Sequence, residues 1–133
     1  MKTLPLLLCC TLALSGCATL NEQECRTITP AQLGMKDGQQ GYGLWRLDKH
    51  VESCARFGIG FDRAAYLAAR EQGLKSYCTP ENGDKVGERG EDYEGVCPAD
   101  VEPAFLAKYR PAHREYINDM RGDPFWMPWP MRH

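Results

Sequence analysis

The 133-residue chain is poor in the groups that hydrolases most often use: it has three serines, at Ser15, Ser53 and Ser76, and three histidines. It has no activated-serine signature. Its 16 Lys and Arg against 18 Asp and Glu form no basic stripe, which argues against nucleic acid as a partner. Apolar runs are short as well, none reaching the about 20 residues that a membrane-spanning helix needs. Close cysteine pairs of the C-x2–4-C type, the usual mark of a structural zinc site, are missing. So is the spacing of an EF-hand calcium loop.

What the chain does have is concentrated at its start. Lys2 supplies a positive charge, and Leu4 to Leu14 is a leucine-rich run interrupted by Pro5 and Thr11. Leu14-Ser15-Gly16-Cys17 follows, which reads as a lipobox. The pattern predicts a lipoprotein signal peptide over residues 1–16, to be excluded from fold reasoning. Cleavage before Cys17 puts lipid, palmitate included, on its thiol and new amine. Several acyl chains on one residue, each methylene contributing about 0.8 kcal/mol, make a permanent anchor. Ala18 stands where an aspartate would signal inner-membrane retention in enterobacterial lipoproteins. The expected address is the periplasmic face of the outer membrane.

Location sorts the cysteines. Cys9 and Cys10 leave with the signal and Cys17 takes lipid, so Cys25, Cys54, Cys78 and Cys97 remain. An even set in an oxidising compartment reads as a disulfide framework with three pairings open. Their separations of 29, 24 and 19 residues favour disulfides over a four-thiolate zinc site.

Cleavage leaves 117 residues with one basic residue fewer, a net charge of −3 and the length of one small domain. Residues 17–28 read as a lipidated tether, polar and without helical period. Residues 29–118 read as a helical, disulfide-stapled domain. Thr29-Pro30-Ala31-Gln32 starts its first helix with a capping box and a proline at the first helical position. Gly34 and Gly38 lower propensity but share a face, where a neighbouring helix can approach. Leu44 to Phe57 is a second helix, its apolar stripe Leu44, Leu47, Val51 and Cys54. Asp62 caps a third, running to about Cys78 with Tyr66, Leu67, Leu74, Tyr77 and Cys78 inward. Thr79 to Ala99 repeats glycine among charges and reads as a long loop closed by cysteines. Asp100 caps a fourth helix burying Phe105, Leu106 and Tyr109, and Pro111 breaks or kinks it. Residues 119–133 form a Pro-, Trp- and Met-rich tail. The fold class is mainly α: a bundle of about four short helices with a glycine-rich, disulfide-closed loop.

Short connections make consecutive helices antiparallel neighbours. That brings Cys25 to Cys54 and Cys78 to Cys97. A Cys54–Cys78 bridge would join ends roughly 20–25 Å apart, too far for a disulfide.

The stretch from Cys25 to Arg110 resembles a bacterial lipoprotein family of unknown function, domain of unknown function 2799. The likeness rests on Gly34-Met35-Lys36-Asp37-Gly38, on Arg46-Leu47 to His50 before Cys54, and on Gln72-Gly73-Leu74-Lys75-Ser76-Tyr77-Cys78. It continues through Thr79-Pro80-Glu81-Asn82-Gly83, Gly87, Gly90, Tyr93, Val96-Cys97-Pro98 and Phe105-Leu106. Pro30 stands near where the family carries an aromatic residue, and Pro111 where it tends to have glycine. The resemblance implies an envelope lipoprotein and supplies no catalytic residues.

Candidate chemistry is sparse. His50, beside Asp48 and Glu52 on the polar side of the second helix, is a general-base candidate, but its expected role is at the surface or in hydrogen bonding. His113 is a weaker candidate. The oxygen-rich run Glu81 to Asp84 and Glu88 to Asp92 reads as a solvated loop, with Tyr93 its packing anchor. Met120, Met127, Met131 and His133 offer soft ligands for copper(I), although their alternation with Trp and Pro equally suits docking. Arg121-Gly122-Asp123 spells an adhesion tripeptide common by chance. Asp37, Gly38, Gly41, Gly73 and Tyr77 could line a groove for glycan or peptide, with helix packing the plainer explanation. The leading expectation is a non-enzymatic interaction or structural protein of the envelope. It needs no cofactor, meets the membrane through Cys17, and binds an envelope protein or peptidoglycan. The alternatives are a wall- or lipid-acting enzyme using His50, and a copper-binding protein.

Overall fold

The computed structural model describes residues 18–122. Among them the chain forms helices and no strand: α1 (Glu22–Thr27), α2 (Pro30–Gln39), α3 (Trp45–Ala55), α4 (Arg63–Tyr77), α5 (Pro80–Glu88) and α6 (Glu102–Gly122). The mainly α class holds, and so do both disulfides, Cys25–Cys54 and Cys78–Cys97, with Cα atoms 5.5 and 5.6 Å apart. Cys17 and its lipidation, the signal, and the tail residues Met127, Met131 and His133 lie outside the described residues.

The helix count rises from about four to six. In the expected tether, Asn21 opens α1 through a capping box with Glu24. In the expected loop, Thr79 caps α5 by accepting from the Asn82 amide, and Pro80 takes its first turn. Glycine content hid α5, because the cost of glycine in a helix is offset when its bare face packs against another helix. The capping box of Thr29 and Gln32 opens α2 as expected. Asp62 caps α4 through the Ala65 amide. Pro111 does not end α6: both Pro111 and Ala107, whose carbonyl loses its helical donor, are exposed, so the loss falls where solvent can reach it.

Neighbours differ from those expected. Helix α2 packs mainly on α4, passing over its immediate successor α3, whereas α5 packs on its successor α6. The two pairs repeat one another. Gly34 and Gly38 press on the carbonyls of Tyr66 and Arg70, and Gly83 and Gly87 press on those of Phe105 and Tyr109. Gly41, at φ +71°, lies against the Tyr77 ring, and Gly90, at φ +66°, against the Tyr116 ring. Each first helix closes alike: Tyr42 donates to the Asp37 carbonyl, and Glu91 to that of Val86. Each first helix opens at Thr-Pro, and each disulfide ties the approach to it to the connection before its partner. The duplication stays faint in the sequence because the second half has no counterpart of α3: 32 residues separate Gly34 from Tyr66, and only 22 separate Gly83 from Phe105.

Two cores result. Leu20, Leu33, Leu47, Cys54 and Tyr66 form one, with Ile28, Val51 and Phe61 around it. Leu74, Tyr77, Cys78, Val86, Cys97, Phe105 and Tyr109 form the other. Two stripe residues assigned inward face solvent: Leu44 is 54% exposed and Leu67 39%. Tyr93 is a packing anchor, its ring on Phe105 and its hydroxyl accepting from the Cys97 amide while donating to Glu102.

Candidate functional site

The repeat makes one departure conspicuous. Where the second half pairs Val86 with Phe105, the first has Asp37 and Tyr66, both fully buried. A buried carboxylate demands hydrogen bonds. Oδ2 of Asp37 accepts from the Tyr66 hydroxyl at 2.7 Å and from His50 Nε2 at 2.9 Å. Oδ1 accepts from Arg46 Nε at 3.1 Å. Burial alone raises the Asp37 pKa. The hydrogen bonds from His50 and Tyr66, and the charges of His50 and Arg46, outweigh it and hold the carboxyl below the usual range. Burial, and then the Asp37 carboxylate, push Tyr66 far above the ordinary phenol range.

His50 is 1% exposed, not on the polar surface assigned to it. Helical period put it beside Val51 on a charged side, but α3 lies in a crevice where that side also meets Phe61 and Tyr66. Asp48 and Glu52, its expected partners, instead pair with Arg63 and with Lys49 and Arg56 in solvent. The true partner is Asp37, and with Asp37 ionised Nε2 is the donor of that pair. The other ring nitrogen, Nδ1, meets the Thr19 hydroxyl at 2.8 Å, and Ser53 Oγ accepts from the Thr19 amide at 3.1 Å. The chain ahead of α1 is therefore clasped to α3, with Leu20 buried beneath it. Sequence reading missed Thr19, Ser53 and Tyr66 as members of this network; the intolerance of Asp37 to unpartnered burial was the signal that could have found them.

Thr19, His50 and Asp37 align as hydroxyl, imidazole and carboxylate, with the ring reversed relative to the serine-protease order. Yet Arg46 and Tyr66 also hold the carboxylate. Four clefts among the described residues, of about 240 to 540 Å³, are lined by other residues. The arrangement orders buried groups more readily than it admits a substrate.

The glycine-and-tyrosine set divides. Gly38 and Gly73 are spent on the α2–α4 contact, and Asp37 is sealed away. Gly41 and Tyr77 do line an open cleft between the halves, with Tyr42, Asn82, Arg89, Glu91, Asp92 and Glu94. Arg70, 8% exposed, donates to the Tyr42 carbonyl at 2.6 Å, and its Nε has no partner among the described residues. His113 stacks on Tyr109 in the second half, 3.9 Å from Asp92. No group of three or more His, Cys, Asp or Glu that could hold a metal occurs among the described residues. No described helix is long and apolar enough to cross a membrane.

A family model described as protein of unknown function (DUF2799) matches residues 31–114. No curated protein and no solved structure is significantly similar to the chain.

Proposed function

Since the chain belongs to this family of proteins of unknown function, whose model spans both halves of the repeat, we propose an envelope role that is non-enzymatic. The protein is an outer-membrane lipoprotein of the periplasmic face, acylated at Cys17, that binds another envelope protein or the cell wall. The observation that carries the non-enzymatic part is the engagement of His50: both ring nitrogens are bonded inside a nearly sealed site. The address rests on Leu14-Ser15-Gly16-Cys17. Two further features support it: the disulfides, which suit an oxidising compartment, and the clasp at Thr19, which leaves little free linker after an acylated Cys17.

Labelling with palmitate tests the anchor. The full chain incorporates label and sediments with outer membranes, and Cys17→Ala abolishes both. An unlabelled, freely periplasmic protein overturns the address. The enzyme reading has the Thr19–His50–Asp37 alignment in its favour. It predicts that Thr19→Val and His50→Gln abolish a wall- or lipid-directed activity while the fold persists; the non-enzymatic reading predicts no activity to lose.

A further inference from the structure

The cleft between the halves measures about 500 Å³, inside the range of small-molecule sites. Its walls are held from behind. The buried Arg70 fixes the Tyr42 carbonyl, and Arg46 stacks on the Tyr42 ring at 4.2 Å. Glu94 Oε2 accepts from the Gly43 amide at 3.0 Å and from Trp45 Nε1 at 2.6 Å, tying the loop after α5 to the start of α3. Asn82 donates to the Tyr77 carbonyl at 2.8 Å.

Unspent groups remain. Tyr77 is 4% exposed, yet its hydroxyl makes no hydrogen bond among the described residues, unlike those of Tyr66, Tyr93 and Tyr109. Its ring is walled in by Gly41, and it lines the cleft. Asp92, with a side chain 98% exposed, has His113 as its nearest ionic neighbour at 3.9 Å. Gln40, exposed, also lines the cleft, and its side chain makes no hydrogen bond among the described residues. Arg89 and Glu91 neutralise each other.

We propose that this cleft binds a neutral saccharide. Carboxylates only accept, a guanidinium only donates, and amide and phenol groups do both. A ligand carrying many hydroxyls, each able to donate and accept, satisfies that mixture. Three carboxylates against one guanidinium disfavour an anion, and the charged and amide side chains among them disfavour a wholly apolar guest. The site does not depend on the anchor and survives in a chain that carries no lipid.

The experiment is a nuclear magnetic resonance titration of the ¹⁵N-labelled full chain. Di-N-acetylchitobiose is the saccharide probe; putrescine and trialanine are the comparison ligands. The disaccharide gives saturable shifts at Gly41, Tyr42 and Asn82 with a millimolar Kd. Tyr77→Phe, which keeps the ring, weakens binding about fivefold, the effect of one hydrogen bond, and Asp92→Ala about as much. Tyr116→Phe, at the equivalent place in the other half, changes nothing. The spectra themselves report whether each variant is folded. No saturable shift up to about 20 mM, a limit near −2 kcal/mol, overturns the proposal. So does tighter saturation by putrescine or trialanine at the same residues, or binding indifferent to both cleft variants.

Discussion

Replacing Asp37 with asparagine changes one atom at the centre of the buried network. The side chain keeps its volume, so the effect isolates charge and hydrogen bonding. Two amide orientations are available. With the new NH2 toward Tyr66 and His50, two donors face a donor in a site 1% exposed. With it toward Arg46, whose side chain is 25% exposed, water can serve the guanidinium instead, so this orientation is the cheaper. It forfeits the Arg46 bond and turns two charge-assisted bonds into neutral ones. Bonds to charged groups contribute about 1.5–3 kcal/mol and neutral ones about 0.5–1.5, so Asp37→Asn costs about 3 kcal/mol. For a domain of this size, each kilocalorie lowers Tm by roughly 4 °C, giving a drop of about 12 °C in thermal unfolding followed by circular dichroism at pH 7. The sign of the pH dependence follows from the lowered Asp37 pKa: the wild-type advantage is complete above the unfolded value of about 3.9 and fades as pH falls through the folded one. Asp48→Asn, at an exposed ion pair, is the control and moves stability by less than about 1 kcal/mol. A loss at Asp37 no larger than the control's, or one undiminished in acid, would refute this account of the network.

Gly38→Ala places a Cβ against the Arg70 carbonyl, and Gly87→Ala places one 2.6 Å from that of Tyr109. Each lowers stability in chemical denaturation by about 2 kcal/mol, whereas Gly60→Ala, in open space, is neutral or stabilising. Replacing Cys78 and Cys97 together with serine removes a cross-link across 19 residues and costs about 3 kcal/mol by calorimetry; a loss under about 1 kcal/mol would count against the loop argument. Burial raises Tyr77 to about 12, with the charge of Glu91 adding to it, and burial then the bond to Glu102 raise Tyr93 to about 12. Their contribution to folding is complete below the unfolded value near 10 and is lost as pH rises through 12. Phenolate absorbance and helicity therefore change together above pH 10; early, independent ionisation of these tyrosines would contradict their burial.

The helical class and the disulfide pairing were legible in the sequence because caps and chain connectivity are local signals. Thr29-Pro30 and Asp62 announce helix starts by their own chemistry. The pairing came out right although α2 packs on α4 rather than on α3, because the staples join helix approaches that meet under either arrangement. What propensity hid was α5, whose glycines carry their meaning only once α6 lies against them. His50 was misplaced for a related reason. Periodicity identifies a polar side, but it does not say whether a carboxylate from another helix will close over it.

Helix α4 belongs to both cores: Tyr66, near its start, is sealed in the first, and Leu74 and Tyr77, at its end, in the second. The covalent staples, by contrast, are each confined to one half. Mechanical continuity between the halves therefore runs along a single rod some 15 residues long, assisted by the Glu94 contact. A rod transmits torque without needing a common interior. The two halves should melt as one cooperative unit, and a break in the middle of α4 would turn one transition into two.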